Sequence, residues 1–277
     1  MLRLGEKQTL TIEKKVDFGV YLSDGEEKVL LPRKEVPKEA QVGDEMTVFL
    51  YRDSKDRMIA TTREPYLTLY HTAVLKVKEV GKIGAFLDWG LEKDLLLPFR
   101  EQTRRVKAGE ECLVALYPDK SRRLCATMNV YRYLGMHSPY QPGDEVKGRV
   151  YETSGNFGIF VAVDDKYSAL IPKKEAAGTH NLKVGDIITA RVTDVKEDGK
   201  LDLSIRKKAY LQMEDDAELV MKAIDSFDGV LPFGEETTPA VIERELGLSK
   251  KAFKRALGRL LRQGRIEIGE NRIYRKD

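Results

Sequence analysis

Aromatic positions spaced three residues apart recur in the chain, with a glycine between the members of each pair. The pairs are Phe18 and Tyr21, Ile83 and Phe86, and Phe157 and Phe160. A ring exposed on a β-strand can stack on an unpaired nucleobase, which contributes roughly 1 to 3 kcal/mol per base. Ordinary barrel packing is the competing interpretation for any single ring. Recurrence favours stacking for the first and third pairs, whereas Ile83 removes one ring from the second.

Basic residues occupy fixed places relative to these rings. One set stands four residues before the threonine or serine that closes each copy of the pattern: Arg57, Arg123 and Lys200. A second set stands two residues after a recurring proline: Lys34, Arg100 and Lys174. Bases beside stacking rings can hold the phosphates of a bound strand. A solvated surface charge is the competing interpretation for each of them.

Both sets belong to an internal repeat that occurs three times. Its most recognisable strings are LLPRKE from Leu30, LLPFRE from Leu96 and LIPKKE from Leu170. Apolar residues alternate with period two, so that Ile159 and Val161 share one side of a strand and Phe160 takes the other. This period predicts strands rather than helices. Turn signals at intervals of about ten residues then predict a five-stranded closed barrel, which has no exposed edge.

The glycine of each aromatic pair, which is Gly19, Gly84 or Gly158, has a predicted structural role. Residues three apart on a regular strand face opposite sides. We therefore predict a bulge at the glycine, which would place both aromatic side chains on one face. Because Val20 and Leu22 have inward parity, the second aromatic of each pair is expected to face solvent.

The repeat and the residues after it divide the chain into four predicted domains. Residues 1–63, 64–137 and 138–212 are predicted to form three barrels, and 213–277 a helical domain with a β-hairpin tail. Thr238 and Ser249 are predicted N-caps in this last domain. Its third helix is predicted to bury one apolar stripe: Phe253, Leu257, Leu260 and Leu261. The fold class is thus mostly β with a C-terminal α+β domain.

The terminal domain is divided in charge. Residues 213–248 carry 2 bases and 10 acids, whereas residues 249–277 carry 10 bases and 3 acids. The third predicted helix carries most of the candidate phosphate contacts: Lys250, Lys251, Lys254, Arg255 and Arg259. They could contact duplex DNA, structured RNA or both. A solvated helix face, or a basic helix docked on the acidic half of the same domain, is the competing interpretation.

Composition excludes several classes of function. The formal net charge of +3 is too small for a binder that relies on bulk charge. Cys112 and Cys125 have neither redox nor metal-ligand spacing, so we expect buried thiols. No nucleophile motif, carboxylate-rich metal cluster or phosphate loop is present, and we expect neither catalysis nor a cofactor. No run reaches the roughly 18 apolar residues of a membrane helix, so we expect a cytoplasmic protein without membrane contact.

The third copy resembles the S1 RNA-binding domains, in the strings GDEVKGRV, NFGIFV, ALIP and VTDVKEDGKLDLSIRK. This resemblance implies an oligonucleotide-binding barrel whose RNA site contains Phe157, Phe160 and Lys200. A histidine of the family's site is replaced by proline in every copy, at Pro32, Pro98 and Pro172. The family's acidic position is matched by Asp53 and Asp119 but is Lys196 in the third copy.

The order of the domains carries a second resemblance. Three such barrels followed by a winged-helix-like tail are similar to the conserved virulence factor B family of RNA-binding regulators. The resemblance covers essentially the full chain and implies a bacterial cytoplasmic protein that affects gene expression through RNA.

Three functions therefore remain open. The leading hypothesis is a non-catalytic RNA-binding regulator that holds single-stranded RNA on its barrels and on a basic winged helix. The second is a transcription regulator that reads duplex DNA with the winged helix. The third is a scaffold whose barrel faces recruit components of the ribosome or polymerase.

Overall fold

The computed structural model describes residues 1–176, 182–206 and 209–276, with side chains from residue 216 onward in the last range. Contacts divide the chain into two units, Met1–Ile205 and Arg206–Asp277. Strands form the first unit, and helices with a small sheet form the second. The predicted fold class is thereby confirmed.

The first unit contains three groups of five strands. The first group is β1 (Lys7–Val16), β2 (Gly19–Ser23), β3 (Lys28–Pro32), β4 (Glu45–Arg52) and β5 (Met58–Thr61). The second group is β6 (Thr72–Val80), β7 (Gly84–Asp88), β8 (Leu95–Pro98), β9 (Glu111–Pro118) and β10 (Leu124–Thr127). The third group is β11 (Glu145–Ser154), β12 (Gly158–Val163), β13 (Tyr167–Pro172), β14 (Ile187–Val195) and β15 (Leu201–Ser204).

Each group forms a barrel, which we call barrel one, two and three in chain order. Barrels one and three are closed, with strand orders β1-β2-β3-β5-β4 and β11-β12-β13-β15-β14. A parallel pairing completes each, between Leu30 and Ile59 and between Ala169 and Leu201. Barrel two has the order β10-β9-β6-β7-β8, and its edge strands β8 and β10 approach each other. It is therefore nearly closed, and the prediction of three five-stranded barrels is confirmed.

Alternation along the strands separates the barrel cores from the surface. In β2, Val20 and Leu22 are buried, and Tyr21 between them is partly exposed. In β12, Ile159 and Val161 are buried in the same way. Burying one such apolar side chain contributes roughly 1.5 to 3 kcal/mol. The alternation that the sequence predicts therefore determines which side chains face the core and which reach the surface.

The repeated proline string has a structural role in each barrel. Its proline pairs across the sheet with the glycine of the aromatic pair: Gly19 with Pro32, Gly84 with Pro98, and Gly158 with Pro172. Its glutamate accepts a hydrogen bond from the hydroxyl at the end of the last strand: Thr61 to Glu35 at 2.6 Å, Thr127 to Glu101 at 2.8 Å, and Ser204 to Glu175 at 2.8 Å. The string therefore links the third strand of each barrel to both the second and the fifth.

Glu35→Ala is expected to destabilise barrel one by roughly 1 to 3 kcal/mol, because it leaves the buried Thr61 hydroxyl without its acceptor. Glu35 also accepts from the backbone amide of Thr62 at 2.7 Å. The only tryptophan, Trp89 of barrel two, lies 5.9 Å from the Phe49 ring of barrel one. Urea unfolding followed by Trp89 fluorescence measures the change.

Glu39→Ala is the matched control for this substitution. Glu39 is exposed, and it lies on the same connection between β3 and β4. Its loss should change the free energy of unfolding by no more than about 0.5 kcal/mol. Equal effects of the two substitutions would contradict a structural role for the repeated glutamate.

The second unit has the order of a winged helix. Its elements are α1 (Ala209–Ser226), β16 (Val230–Leu231), α2 (Pro239–Leu246), α3 (Lys250–Arg262), β17 (Ile266–Ile268) and β18 (Ile273–Arg275). The strands form one sheet in the order β16-β18-β17. The predicted hairpin is β17 and β18, and β16 is a strand of two residues that the sequence does not reveal.

Capping and burial set the ends and the inner face of α3. The Ser249 hydroxyl accepts a hydrogen bond from the Ala252 amide at 3.2 Å, as its position predicts. Phe253, Leu257 and Leu260 are buried in the core of the unit. The prediction was wrong for Leu261, which is 48% exposed. That position is turned about 100° from Leu260 on the helix, which takes it off the buried face.

Helix α2 starts as predicted but without a capping hydroxyl. Thr238 is the N-cap residue and Pro239 occupies the first turn. The Thr238 side chain makes no capping hydrogen bond. The Val241 amide, which such a cap could satisfy, donates instead to the Thr238 backbone carbonyl oxygen at 3.2 Å.

Candidate nucleic-acid interface

Barrel three presents Phe157 and Phe160 side by side. Phe157 precedes β12 and is 65% exposed. Phe160 lies in β12 between two buried residues, so its side chain points away from the core and is half-buried. The ring centroids are 6.5 Å apart, and the ring planes meet at 61°. Phe157 therefore offers an accessible ring face for stacking beside a second, better supported ring.

Gly158 allows Phe157 to lie close to β13. Its φ is 130°, and a Cβ at this position would be 2.0 Å from the carbonyl oxygen of Ile171. The Lys173 amide donates to the Phe157 carbonyl oxygen at 3.0 Å, which fixes the turn. The same close approach occurs in the other barrels, at 2.1 Å from the Leu31 oxygen for Gly19 and 2.3 Å from the Leu97 oxygen for Gly84.

The bulge that the sequence predicted at this glycine lies instead on the preceding strand, and the prediction of its position was wrong. The register of β11 with β12 shifts between Val150 and Glu152, which leaves Tyr151 as the extra residue. Strand β11 has ten residues and pairs with both β12 and β14, so it must bend to close the barrel. The buried Tyr151 ring lies 6.0 Å from Phe160 and supports it from beneath.

Equivalent register shifts occur in the other two barrels. In β1 the shift lies between Ile12 and Lys14, and in β6 between Val77 and Glu79. The bulge is therefore a property of the repeat. The glycine serves the close approach of two backbones instead.

Lys200 of barrel three is held in place beside another ring, that of Tyr131. Its Nζ donates to an Asp198 carboxylate oxygen at 2.7 Å and lies 5.6 Å from the centroid of the Tyr131 ring. The hydrogen bond to Asp198 raises the pKa of Lys200, so the ammonium stays charged at neutral pH. Lys196 pairs with Asp202 at 3.0 Å. Asp198 thus pairs with Lys200 in barrel three as Asp53 pairs with Arg57 in barrel one.

Tyr131 is a ring that the sequence analysis missed. It is 48% exposed and lies 6.2 Å from Phe160, with the two planes at 78°. It comes from the short 3₁₀ turn Tyr131–Tyr133, between barrels two and three. The aromatic-rich string YRYLGMHSPY was the available signal, but it lies outside the repeat and has no period.

Barrel one repeats the aromatic pair. Phe18 is 58% exposed, Tyr21 is half-buried, and their centroids are 6.4 Å apart with the planes at 85°. Arg57 is exposed and donates from Nε and Nη2 to one Asp53 oxygen, at 3.0 and 2.7 Å. Partial burial of Asp53 opposes a low pKa, but the hydrogen bonds from Arg57 and nearby amides lower it. Asp53 therefore stays ionised and holds Arg57 in one orientation.

Barrel two has a weaker version of the pair. Ile83 takes the first position and is exposed, and Phe86 is half-buried against Gly81. Arg123 is exposed, and its Nε lies 3.9 Å from an Asp56 oxygen of barrel one. Lys174 of barrel three is exposed on the turn after β13. The structure therefore brings the ring pairs of barrels one and three together, and Tyr131 links Lys200 to the pair of barrel three.

Helix α3 carries the predicted bases of the second unit. Lys251, Lys254 and Arg255 are exposed, and Lys250 and Arg259 are half-buried. Lys254 pairs at 3.3 Å with an exposed Glu236 oxygen. Within the described side chains, Lys251 and Arg255 have no acidic partner.

Two further bases of this unit are paired with its acidic half. Arg275 of β18 donates to Asp225 at 2.7 Å, and Arg265 pairs with Glu218. Both acids belong to α1. Arg272 and Lys276 beside the wing are exposed, so the exposed bases of this unit lie both on the outer face of α3 and at the wing.

Metal sites and reactive thiols are two kinds of site that His, Cys, Asp and Glu side chains commonly form. In the part of the chain that the structure describes, no group of these residues could hold a metal ion. Cys112 and Cys125 are free and buried, and burial raises the pKa of each thiol to about 11. A thiol with that pKa is almost wholly protonated at neutral pH and is a poor nucleophile. Among the described residues, no helix is long and apolar enough to cross a membrane.

Family models match three parts of the chain. A model described as S1 domain matches residues 4–63 and 71–129, and one described as S1 RNA binding domain matches residues 140–206. A model described as CvfB-like winged helix domain matches residues 218–274. These matches support nucleic-acid binding, and the domain types are typically non-catalytic.

Relatives resemble the chain over most of its length. It is 30% identical over 292 residues to Uncharacterized protein YitL of Bacillus subtilis, covering 99% of this chain and 94% of that protein. It is 27% identical to Conserved virulence factor B of Staphylococcus saprophyticus, covering 89% and 85%. A crystal structure titled as a multidomain protein with nucleic acid binding domains from Streptococcus pneumoniae matches with 22% identity and a TM-score of 0.48, covering 99% and 98%.

Proposed function

Since the chain belongs to the conserved virulence factor B family, we propose that it binds single-stranded RNA without catalysis and regulates gene expression after transcription. In this proposal the barrels stack unpaired bases, and α3 contacts phosphates. The protein acts on transcripts in the cytoplasm, and the four predicted domains are its working units.

One observation carries the proposal, namely the arrangement of Phe157, Phe160 and Lys200 on the outer face of barrel three. An exposed ring, a supported ring and a fixed ammonium offer stacking together with one phosphate contact. A stacking ring accepts any base, because every base has a π face. Duplex DNA offers no unstacked base to such a site. The geometry therefore favours single strands over duplexes.

Binding to single-stranded RNA is expected to exceed binding to duplex DNA of equal length by at least about tenfold, since about 1.4 kcal/mol corresponds to tenfold and each stacked base contributes roughly that much. Fluorescence anisotropy titrations at matched salt concentration measure both affinities. The opposite ranking would favour the winged helix as the principal reader of a duplex.

Several weak sites on one chain can act together on one flexible strand. Linked sites bind a shared ligand at high effective concentration, provided that the geometry allows simultaneous contact. Barrel one repeats the ring pair, and barrel two retains Phe86. We therefore expect affinity to rise with RNA length beyond the size that one barrel can cover.

Replacing Lys251, Lys254 and Arg255 together with Gln is expected to flatten the dependence of RNA affinity on salt. Every phosphate that is no longer neutralised by a base reduces the slope of log K against log salt by roughly 0.7 for a single strand. Titrations at four or more salt concentrations measure this slope. An unchanged slope would remove α3 from the binding surface.

Lys222 and Arg244 provide the control for this experiment. Both are exposed bases outside α3, on α1 and α2, and Arg244 pairs with Glu245 at 2.7 Å. Replacing both with Gln should leave the salt slope nearly unchanged. A slope reduced equally by this control would indicate a general charge effect.

A second candidate function follows from α3 itself. Its outer face carries bases at helical spacing on the element that a winged helix places in the major groove. On this reading the chain is a transcription regulator that binds duplex DNA. If neither nucleic acid bound at physiological salt, recruitment of proteins by the barrel faces would become the leading account.

A further inference from the structure

The segment between barrels two and three is packed against both of them. Val130 and Leu134, on either side of the 3₁₀ turn, are buried. They belong to one apolar cluster with Leu113 of barrel two and with Ala162 of barrel three. Because this core spans both barrels, the segment is fixed in position relative to each.

Backbone hydrogen bonds add to this anchoring. The Gly135 amide donates to the Lys166 carbonyl oxygen at 2.7 Å, and the Ser168 amide donates to the Gly135 oxygen at 3.0 Å. On the side of barrel two, Tyr133 stacks on Tyr70 with centroids 6.4 Å apart and planes within 8°. The turn is therefore held at both of its ends.

Tyr131 projects from this anchored turn toward the site of barrel three. Its ring makes an edge contact with Phe160, with the two planes at 78°, and Lys200 Nζ lies 5.6 Å from its centroid. Arg132, the next residue, is exposed. Phe160 thus contacts both Phe157 and Tyr131, at centroid distances of 6.5 and 6.2 Å.

We propose that Tyr131 is a third stacking ring of the barrel three site, and that a single strand bound there continues across the segment between barrels two and three. This inference rests on the proposed function, since it assigns one more nucleotide position to the same site. The Tyr131 ring leaves apolar surface in contact with water, which is unfavourable, although the residues on either side of its turn are buried. A base stacked on Tyr131 would cover that surface, with Arg132 beside the phosphate of the same nucleotide.

The competing explanation is that Tyr131 only packs against Phe160 and does not contact RNA. The two explanations predict different dependences of affinity on RNA length. A covering ring would affect RNA of every length equally, because it would act by holding Phe160 in place. A stacking ring would matter only for strands long enough to reach it. The dependence of affinity on RNA length therefore separates the two roles.

The test uses the full chain and oligouridines of increasing length, titrated by fluorescence anisotropy. Tyr131→Ala is expected to weaken binding of long oligomers roughly 5- to 100-fold and to leave the shortest bound oligomers nearly unchanged. The length at which affinity stops rising should fall by about one nucleotide. Tyr131→Phe keeps the ring and should bind within about twofold of the unaltered chain.

Two controls make the outcomes distinct. Tyr66→Ala removes an exposed ring from the same unit, at 66% exposure, and should not change binding. Phe157→Ala tests the proposed function itself. The inference is overturned, and the proposed function stands, if Phe157→Ala weakens binding but Tyr131→Ala has no effect. The same holds if Tyr131→Ala weakens the binding of oligomers of every length equally. If neither weakens binding, both are overturned.

Discussion

Gly158→Ala is expected to destabilise barrel three by roughly 3 kcal/mol or more, because backbone strain and overpacking coincide at this residue. The φ of 130° lies in a region that side chains rarely adopt. The added Cβ would lie 2.0 Å from a backbone oxygen of β13, which cannot move without separating β12 from β13. Hydrogen exchange of the peptides covering β12 and β13 measures the loss of protection.

Gly155→Ala is the matched control for this prediction. Gly155 lies three residues earlier in the same turn, and a Cβ there would meet no atom within 4 Å. Its substitution should change stability by no more than about 1 kcal/mol. The two variants add the same methyl group, so any difference reports the position. Equal hydrogen exchange in both would contradict the close approach seen at Gly158.

Replacing Phe157 with Ala and Phe160 with Leu together is expected to weaken single-stranded RNA binding by about 30- to 1000-fold, equivalent to roughly 2 to 4 kcal/mol for two stacked bases. Phe157 is largely exposed, so its removal costs little stability. Leucine at position 160 keeps apolar contact with Tyr151 and loses the flat ring face. Anisotropy titration of the full chain with one RNA at fixed salt gives the ratio.

Barrel two offers the converse experiment. Ile83 is exposed at the position that Phe157 occupies in barrel three. Ile83→Phe should therefore raise the affinity for RNA, since it restores the ring that barrel two lacks. If Ile83→Phe did not raise the affinity for RNA, and the Phe157 and Phe160 substitutions did not lower it, stacking on the barrels would be excluded as the mode of binding.

The repeat made most of the fold predictable. Period-two alternation around residues such as Val161 identified the strands and the inward side, because a barrel core accepts only one parity. The recurring glycine and proline marked where β12 and β13 meet. Helix α3 was predictable from its cap at Ser249 and its buried face at Phe253 and Leu257.

Features that depend on tertiary contacts were not predictable in the same way. The bulge lies at Tyr151 because β11 pairs with two strands, and no residue type marks that requirement in the sequence. Tyr131 lies between two repeats, and only the shared core of barrels two and three brings it to Phe160. Leu261 continues an apolar run, but its burial depends on where α3 leaves the core.

The hydrogen bonds of the repeated glutamate explain why LLPRKE and its two counterparts each end in this residue. The string LLPRKE and its two counterparts stand close to the candidate sites in sequence, yet their glutamates serve the closing strands. Repetition alone therefore does not distinguish a binding residue from a structural one. Burial and hydrogen-bond partners make that distinction here, because the first residue of each pair is exposed and the glutamate is hydrogen-bonded.

Photocrosslinking of bound single-stranded RNA that carries 4-thiouridine, followed by mass spectrometry of the adducts, shows directly whether unpaired bases lie against the barrel rings. We expect adducts on the peptides that contain Phe157, Phe160 and Tyr131, with weaker adducts at Phe18 and Tyr21. Adducts confined to α3, with none on any barrel, would contradict it.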